Sequence, residues 1–449
     1  MEVVDTHYAK TPDGVYIAYQ VVGEGSVDVV WQLDWPGNLD MQWEDPFDRV
    51  FLQELASFSR LILHDRRGVG LSSRNVALPN LETRVSDLLA VLDAVGSERP
   101  VLAGLFESGA PNALLAATRP ERVSAMVWFE PRPRFAWAPD YPWGLTNEDK
   151  QAELHDLESW GSLEYGHSFV AYQASRGNVM AAEIYPAWFA KATRNACTPD
   201  VARALAQIWY ESDVRGVLPA IQAPTLILTN GQDPELAEEA AYVASLIPGA
   251  EMHEVTGLGT SEEDMRAAAR AATDAIRRFI GVAPAPTQLD TILSTILFTD
   301  IVGSTEKQAS LGDRGWKDLV EQHHVMVRDA LGRWRGVEND TAGDGFYATF
   351  DGPARAIRCA LEVAERVRDL GMEIRAGVHT GECELIDDKC GGITVSIGAR
   401  VASSAGPSEV LVSQTVKDLV AGSGLTFEDR GDHELKGVPD RWRLYRAVG

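Results

Sequence analysis

Cysteine, basic charge and long apolar runs are all scarce in this 449-residue sequence. The four cysteines, at 197, 359, 383 and 390, form no CxxC pair and have no histidines at zinc-finger spacing, so we expect reduced cytosolic thiols. A formal net charge of −25 argues against binding to a nucleic-acid backbone, which needs clustered Lys and Arg. No stretch reaches the roughly 18 apolar residues of a membrane span, and the N-terminus lacks a signal-peptide pattern. We therefore expect a cytoplasmic protein with neither nucleic-acid nor membrane partners.

Length and composition instead indicate a folded protein of more than one domain. Apolar residues make up 45% of the chain and charged residues 24%, as in ordinary globular proteins. A chain of 449 residues exceeds one typical core. The segment GVAPAPTQL alternates Pro with Ala and predicts a short, stiff, extended connector. We predict domains over residues 1–281 and 290–449, joined by a linker over 282–289.

The N-terminal part alternates short apolar runs with helical patterns. VDVVWQL, LILHD and PVLAGL are rich in Val, Ile and Leu without strict alternation, which is typical of strands buried on both faces. Helical stretches such as LETRVSDLLAVLDAVG lie between such runs. The pattern predicts a doubly wound, mostly parallel sheet. Residues 131–218, rich in Trp and Tyr and mostly helical in pattern, interrupt the alternation and predict an inserted cap.

Ordered landmarks make this N-terminal part similar to the α/β-hydrolase family. They are HDRRGVGLS, VLAGLFESGAPNALLAATRPERV and PTLILTNGQD. In the family a G-x-S-x-G turn raises a nucleophilic serine, with an acid and a histidine base elsewhere in the chain. The register, anchored by Gly104 and by the PER tripeptide at Pro120, places Phe106 at the serine position, with Asp233 at a plausible acid position and Thr260 at the base position. Without a hydroxyl and an imidazole at those points, the resemblance implies a degenerate, non-catalytic hydrolase fold.

Two functions remain open for this hydrolase-like part. It is either a sensor whose pocket holds an unidentified small molecule, or a packing and dimerisation scaffold. A third alternative, an active esterase, would have to use Ser108. That choice moves the turn by two residues and places Phe106 where a small side chain is required, so we disfavour it.

The C-terminal part shows a different order of elements. ILFTDIVGST is followed by a long helical run, a hairpin pattern around Asp344 between two glycines, another helix and another strand. This order predicts a compact α+β domain with antiparallel pairing. The segments ILFTDIVGST, DTAGDGFYATF, IRAGVHTGE, ITVSIGARVAS and HELKGV resemble, in the same order, the catalytic domain of class III adenylate and guanylate cyclases. The resemblance implies a ferredoxin-like fold and a nucleoside triphosphate substrate.

The resemblance also implies a metal centre. Asp300 and Asp344 match the two metal-binding aspartates of the family, and the carbonyl of Ile301 would complete an oxygen site suited to Mg²⁺ or Mn²⁺. Two divalent ions per active site would lower the pKa of the ribose 3′-hydroxyl and neutralise phosphate charge. The family builds each site between two such domains, so a chain with one domain implies a homodimer with two equivalent sites.

Further positions match the phosphate-binding and transition-state residues. Gly303, Ser304 and Thr305 lead into a helix whose N-terminal N–H groups and dipole attract phosphate. These residues also suit ordinary helix capping, and the two roles are compatible. Arg400 matches the arginine that stabilises charge on the pentacoordinate phosphorus, because a guanidinium stays charged and forks onto oxygens. Ser396 stands where the family has an asparagine that orients the ribose.

The residues expected to read the base depart from the family. A lysine and an aspartate usually recognise the purine, but this sequence has Asp340 in place of the lysine and Lys389 in place of the aspartate. Because the donors and acceptors are exchanged, ATP and GTP both remain open as substrates. Two hypotheses follow: a cyclase regulated by its hydrolase-like domain, or a nucleotide-binding signalling protein that does not cyclise.

Overall fold

The computed structural model describes residues 4–32, 37–175, 185–229, 233–255, 262–282, 291–386 and 389–448. The chain divides into two compact units, Met1–Thr287 and Gln288–Gly449. The predicted linker 282–289 lies outside the described residues except for its first residue, which ends a helix. Within the described ranges, no helix combines the length and the hydropathy needed to cross a membrane.

The described part of the first unit contains one eight-stranded sheet in the order β1-β2-β4-β3-β5-β6-β7-β8. Its strands are β1 (Thr6–Lys10), β2 (Tyr16–Val22), β3 (Asp28–Gln32), β4 (Arg60–His64), β5 (Val101–Leu105), β6 (Ala125–Phe129), β7 (Thr225–Thr229) and β8 (Glu251–Glu254). The first two pairings are antiparallel, and all pairings from β4 to β8 are parallel. The mostly parallel, doubly wound sheet predicted from the sequence is confirmed.

Helices lie between the strands of this unit. They are α1 (Leu39–Gln42), α2 (Pro46–Ala56), α3 (Leu81–Val95), α4 (Gly109–Thr118), α5 (Asn147–Asp156), α6 (Leu163–Ser175), α7 (Tyr185–Ala196), α8 (Pro199–Glu211), α9 (Pro234–Leu246) and α10 (Glu262–Val282). The helices α5 to α8 follow β6 and precede β7, which is where the sequence pattern predicts the cap. Strand β7 is buried along its whole length, as expected for a strand covered on both faces.

The second unit is built on another sheet, ordered β10-β11-β9-β12-β14-β16-β15 in its described part, with β13 paired to β12. Its strands are β9 (Thr291–Ile301), β10 (Val337–Ala342), β11 (Gly345–Phe350), β12 (Ile374–Ile386), β13 (Lys389–Gly391), β14 (Glu409–Ser413), β15 (Thr426–Glu434) and β16 (Arg441–Val448). The pairing of β12 with β14 is parallel and the others are antiparallel.

Helices cover both faces of this second sheet. They are α11 (Ser304–Trp334), α12 (Pro353–Arg366), α13 (Ile393–Ser404) and α14 (Gln414–Leu419). Alternate residues of β9 point to opposite faces: Leu297 joins the core formed with α11, α12 and α14, whereas Ile296 lies under α13. Helix α13 approaches closely because Gly398 faces Ile296; a Cβ there would lie 2.9 Å from that side chain. The predicted α+β architecture is confirmed.

Candidate active site

The two predicted metal-binding aspartates lie where two neighbouring inner strands of the second sheet, β9 and β11, meet the same edge of the sheet, at the end of β9 and the start of β11. Asp300 is the penultimate residue of β9, and Asp344 lies in the tight turn between β10 and β11. Antiparallel pairing of Thr299 with Phe346 puts the end of β9 beside the start of β11, and Asp344 lies two residues before Phe346 in the chain. Ile301, whose carbonyl is the third predicted ligand, ends β9 and is buried. The fold therefore brings the three predicted ligands to the same sheet edge.

Asp300 is held by an arginine that the sequence interpretation missed. Arg375 is its cross-strand partner on β12, and the guanidinium donates to Oδ2 through Nη2 at 2.5 Å and Nε at 2.9 Å. Both side chains are 39% exposed, so the pair is accessible to a ligand. A basic residue in the segment IRAGVHTGE was the available signal. Arg375 fixes the carboxylate orientation and adds a positive charge where a triphosphate would need one.

Asp344 has one carboxylate oxygen that could serve as a metal ligand. Its Oδ2 is buried and has no hydrogen-bond partner in the described part of the chain. The preceding Gly343 adopts φ 67°, and its carbonyl is 3.1 Å from the His324 Nε2. No cluster of three or more His, Cys, Asp or Glu side chains suited to a metal occurs among the described residues. Two carboxylates and one carbonyl nevertheless fit Mg²⁺ or Mn²⁺, which keep water and phosphate oxygens as further ligands.

The predicted phosphate-binding segment begins a helix at the same edge. Gly303 has φ 67° and precedes α11, so Ser304 and Thr305 occupy its first turn, and within the described part of the chain the helix has no side-chain N-cap. Its first N–H groups are therefore free of a side-chain cap and can meet an anion. Glu306 places an acidic side chain in that first turn, where it satisfies the dipole but repels phosphate.

The predicted transition-state residues lie on α13. Ser396 and Arg400 are one turn apart and exposed, and the Arg400 Nε donates to the Lys436 carbonyl at 3.0 Å. Among the described residues, no hydrogen bond or ion pair joins either of them to Asp300 or Asp344.

The strands that carry the two predicted base-reading residues, β10 and β13, both contact Tyr347. Asp340 is exposed on β10 opposite Tyr347, whose hydroxyl donates to the Cys390 carbonyl at 2.7 Å. Tyr347 also stacks on Phe298, with centroids 4.9 Å apart. Lys389 precedes Cys390 on β13, but its side chain lies outside the described part. The base-reading role of Asp340 and Lys389 therefore stays a prediction.

Phe106, which the sequence predicts at the nucleophile position, lies in the turn after β5. Phe106 follows β5 with φ 47°, a strained conformation, and the Trp128 indole donates to its carbonyl at 2.6 Å. Ser108 is fully buried, and its hydroxyl bonds the backbone of Leu105, accepting from N at 2.8 Å and donating to O at 2.5 Å. Gly109 admits no side chain, because a Cβ would lie 2.2 Å from Trp128. The turn backbone is intact, and neither residue offers a free nucleophile.

The remaining hydrolase positions do not assemble a catalytic relay in the described structure. Asp233 is buried and caps α9, accepting from the N–H groups of Glu235 and Leu236. Thr260 lies outside the described residues. Sequence reasoning missed Glu107, next to Phe106, which is buried and bound by two arginines. A charged residue at the position after the expected nucleophile was the signal.

Comparison with known proteins identifies the second unit. Residues 288–447 match the family model of the adenylate and guanylate cyclase catalytic domain. The receptor-type adenylate cyclase GRESAG 4.1 of Trypanosoma brucei brucei is 27% identical over 209 residues, covering 34% of this chain and 16% of that protein. An uncharacterized protein of Mycobacterium tuberculosis is 30% identical over 150 residues, covering 32% of this chain and 52% of that protein. The chain thus spans only part of these relatives, and its C-terminal unit matches the cyclase catalytic-domain family.

The first unit resembles a different class. A probable esterase of Oryza sativa subsp. japonica is 26% identical over 222 residues, covering 48% of this chain and 77% of that protein. The crystal structure of bromoperoxidase from Bacillus anthracis aligns with 62% of this chain and all of that chain, with a TM-score of 0.52 and 19% identity. The structural match concerns the fold alone. The N-terminal unit therefore has the α/β-hydrolase fold, and the chain joins this fold to a cyclase domain.

Proposed function

We propose that the protein is a homodimeric, metal-dependent cyclase that converts ATP or GTP into the 3′,5′-cyclic nucleotide and pyrophosphate. The observation that carries this proposal is the meeting of Asp300, Asp344 and the N-terminus of α11 at one sheet edge, inside a domain that matches the cyclase family. The two aspartates supply oxygen ligands for cations, and the helix N-terminus supplies N–H donors for a triphosphate.

The proposed chemistry is an in-line displacement. The ribose 3′-oxygen loses its proton and bonds to the α-phosphorus, while the bond from that phosphorus to the bridging oxygen breaks and pyrophosphate leaves. Divalent ions held by Asp300, Asp344 and the Ile301 carbonyl would lower the hydroxyl pKa and neutralise phosphate charge. Arg375 keeps Asp300 oriented, and the first turn of α11 holds the β- and γ-phosphates.

A second copy would complete the site with Arg400 and Ser396. Both residues are exposed on α13 and unconnected to Asp300 within the described part of one chain, which favours a site shared between protomers. Arg400 would then stabilise charge on the pentacoordinate phosphorus. Ser396 has a shorter side chain than the asparagine of the family and would position the ribose less firmly, so turnover should be slow.

The direct test measures cyclic nucleotide from the purified full chain with ATP or GTP, in Mg²⁺ or Mn²⁺. Asp300→Asn keeps the shape of the side chain and removes its charge, so product should vanish. The matched control is Asp429→Asn. It weakens another Asp–Arg pair of the same sheet, formed with Arg443 between the edge strand β15 and its neighbour β16. Product that survives Asp300→Asn would overturn the proposed metal site.

Complementation tests the shared site. Asp300→Asn and Arg400→Ala should each be inactive alone, whereas mixing them under exchange conditions should restore about a quarter of wild-type activity, since half of the dimers would contain one intact site. No recovery, with mixed dimers verified by mass spectrometry, would place both residues in the same site of one chain.

The second candidate function is nucleotide binding without cyclisation. Asp340 in place of the expected lysine and Ser396 in place of the expected asparagine favour it. Metal-dependent binding of ATP or GTP that is lost in Asp300→Asn, together with no product from the wild-type chain, would establish this alternative. In either case we propose that the first unit is a regulatory module that hydrolyses no ester, because Phe106 and Ser108 offer no free nucleophile.

A further inference from the structure

A histidine of α11 is bonded to the turn that carries Asp344. The turn consists of Gly343 and Asp344, and the residues on either side of it, Ala342 and Gly345, are paired across β10 and β11. The His324 Nε2 lies 3.1 Å from the Gly343 carbonyl oxygen. Because a carbonyl oxygen can only accept, this hydrogen bond requires the proton of the ring to be on Nε2.

The bonded carbonyl belongs to the peptide that joins Gly343 to Asp344. A peptide is planar, so its C=O and N–H rotate together. The common turn types differ in the dihedral angles on the two sides of this middle peptide. The Asp344 Oδ2 accepts no hydrogen bond within the described part of the chain, so its direction depends on the backbone of the turn. A bond that holds the Gly343 carbonyl therefore also orients the Asp344 carboxylate.

The His324 ring is itself held in place by aromatic contacts. It is partly buried and meets Phe346 edge to face, with the ring centroids 5.0 Å apart and the planes at 86°. Phe346 is buried on β11, two residues after Asp344. The neighbouring His323 is fully buried and contacts the same ring at 5.8 Å. The imidazole thus has a defined position beside the turn.

A second contact joins α11 to the other strand of this hairpin. Arg328, one helical turn after His324, donates to both carboxylate oxygens of Glu338 on β10, each at 2.8 Å. The Thr341 hydroxyl donates to the same carboxylate at 2.6 Å. Both strands that flank the turn are therefore packed against or bonded to α11, and His324 extends this attachment to the turn itself.

We propose that His324 is a positioning residue for Asp344, whose Nε2–H holds the peptide between Gly343 and Asp344 so that the carboxylate points to the metal site. This inference rests on the proposed function, in which Asp344 is a metal ligand. His324 acts through the turn and contacts neither metal nor nucleotide. Groups that orient a metal ligand typically contribute about tenfold to a hundredfold to metal affinity or activity.

Binding of nucleotides that cannot cyclise tests this role without relying on turnover. 3′-Deoxy-ATP and 3′-deoxy-GTP lack the attacking hydroxyl, and equilibrium dialysis against the full chain measures their binding as Mn²⁺ is titrated. His324→Phe keeps a ring against Phe346 and removes the donor, so half-maximal binding should need about tenfold more Mn²⁺ than in the wild type. His324→Gln keeps a terminal N–H donor and should recover most of this loss.

His433→Phe is the matched control. The His433 Nε2 likewise lies 3.1 Å from a backbone carbonyl, that of Arg430, on β15. Its replacement should leave the Mn²⁺ requirement unchanged. A wild-type Mn²⁺ requirement in His324→Phe would overturn the positioning role, and so would a requirement in His324→Gln as high as in His324→Phe.

Asp344→Asn separates this inference from the proposed function, because it should raise the Mn²⁺ requirement at least as much as His324→Phe. If nucleotide binding depends on neither Mn²⁺ nor Asp344, the proposed metal site fails and this inference fails with it. If binding depends on both but not on His324, this inference fails alone. Should His324→Phe not fold, His324→Gln should need about fivefold less Mn²⁺ than His324→Ala, and equal requirements would overturn the proposal.

Discussion

The two units of this chain differ in the side chains that stand at their predicted active-site positions. In the cyclase domain the sheet edge keeps its carboxylates, and the Asp344 Oδ2 has no hydrogen-bond partner in the described structure. In the hydrolase-like unit the turn keeps its strained backbone at Phe106 while the nucleophile is gone. A backbone geometry fixed by surrounding packing thus persists after its side-chain chemistry is lost. The difference teaches that activity must be inferred from side chains and not from the fold.

The largest effect should come from the sheet edge of the cyclase domain. Asp344→Asn removes the charge of a proposed metal ligand and should lower cyclic nucleotide formation by about 10³-fold, as expected for losing one electrostatic element of a preorganised site. Initial rates at saturating metal provide the measurement, and Asp429→Asn serves as control. A loss of less than tenfold would show that Asp344 is not a metal ligand. The proposed difference in side-chain chemistry between the two units would then be weaker.

The next effect concerns the retained turn. Gly109→Ala would force a Cβ to within 2.2 Å of the Trp128 indole in a buried site, so it should destabilise the first unit by about 3 kcal/mol. Gly281→Ala, on α10, meets nothing within 4 Å and is the matched control. Urea unfolding of both variants measures the change. A Gly109→Ala variant as stable as the wild type would mean that packing does not hold the turn.

A pH effect should act on both units, because burial lowers the pKa of His64 in the first unit to about 4, and it is measured most directly in the second unit. Burial lowers the pKa of His379 to about 4, and burial with the adjacent His324 lowers that of His323 to about 4. Depressed values mean that stability is complete above about pH 6.5 and is lost as the pH falls toward 4, on the order of 3 kcal/mol for each histidine. Hydrogen exchange of the β12 amides at several pH values, corrected for intrinsic rates, measures this loss.

His379→Gln provides the check on that assignment. Because His323 remains, the variant should lose stability with falling pH about half as steeply as the wild type between about pH 6.5 and 4.5. An unchanged slope would show that His379 is not the titrating group.

The smallest effect concerns the choice of base. Exchanging the two base-reading residues, by Asp340→Lys combined with Lys389→Asp, restores the arrangement usual in the family and should change the ratio of ATP to GTP turnover by about tenfold. Competition between the two nucleotides measures the ratio. A ratio equal to that of the wild type would indicate that these positions do not contact the base.

Much of the site was predictable because its residues lie in short, ordered segments. Asp300 is the penultimate residue of an apolar strand and Asp344 occupies a glycine-flanked turn, and both signals are local. The ion pair of Asp300 with Arg375 was not predictable, since it depends on the register of two strands whose paired residues lie 75 positions apart in the chain. The arginine pair on Glu107 was missed for the same reason: its members come from three elements distant in the chain.

The sequence by itself determined the two fold classes, the absence of a serine at the hydrolase turn and the candidate metal ligands, because these follow from local patterns of apolar, glycine and acidic residues. Tertiary structure alone decided which charges meet. It placed Arg375 on Asp300 and left the Arg66 Nη2 buried without a partner in the described structure. Such outcomes depend on strand register and helix packing between distant segments, where a shift of one residue redirects every side chain.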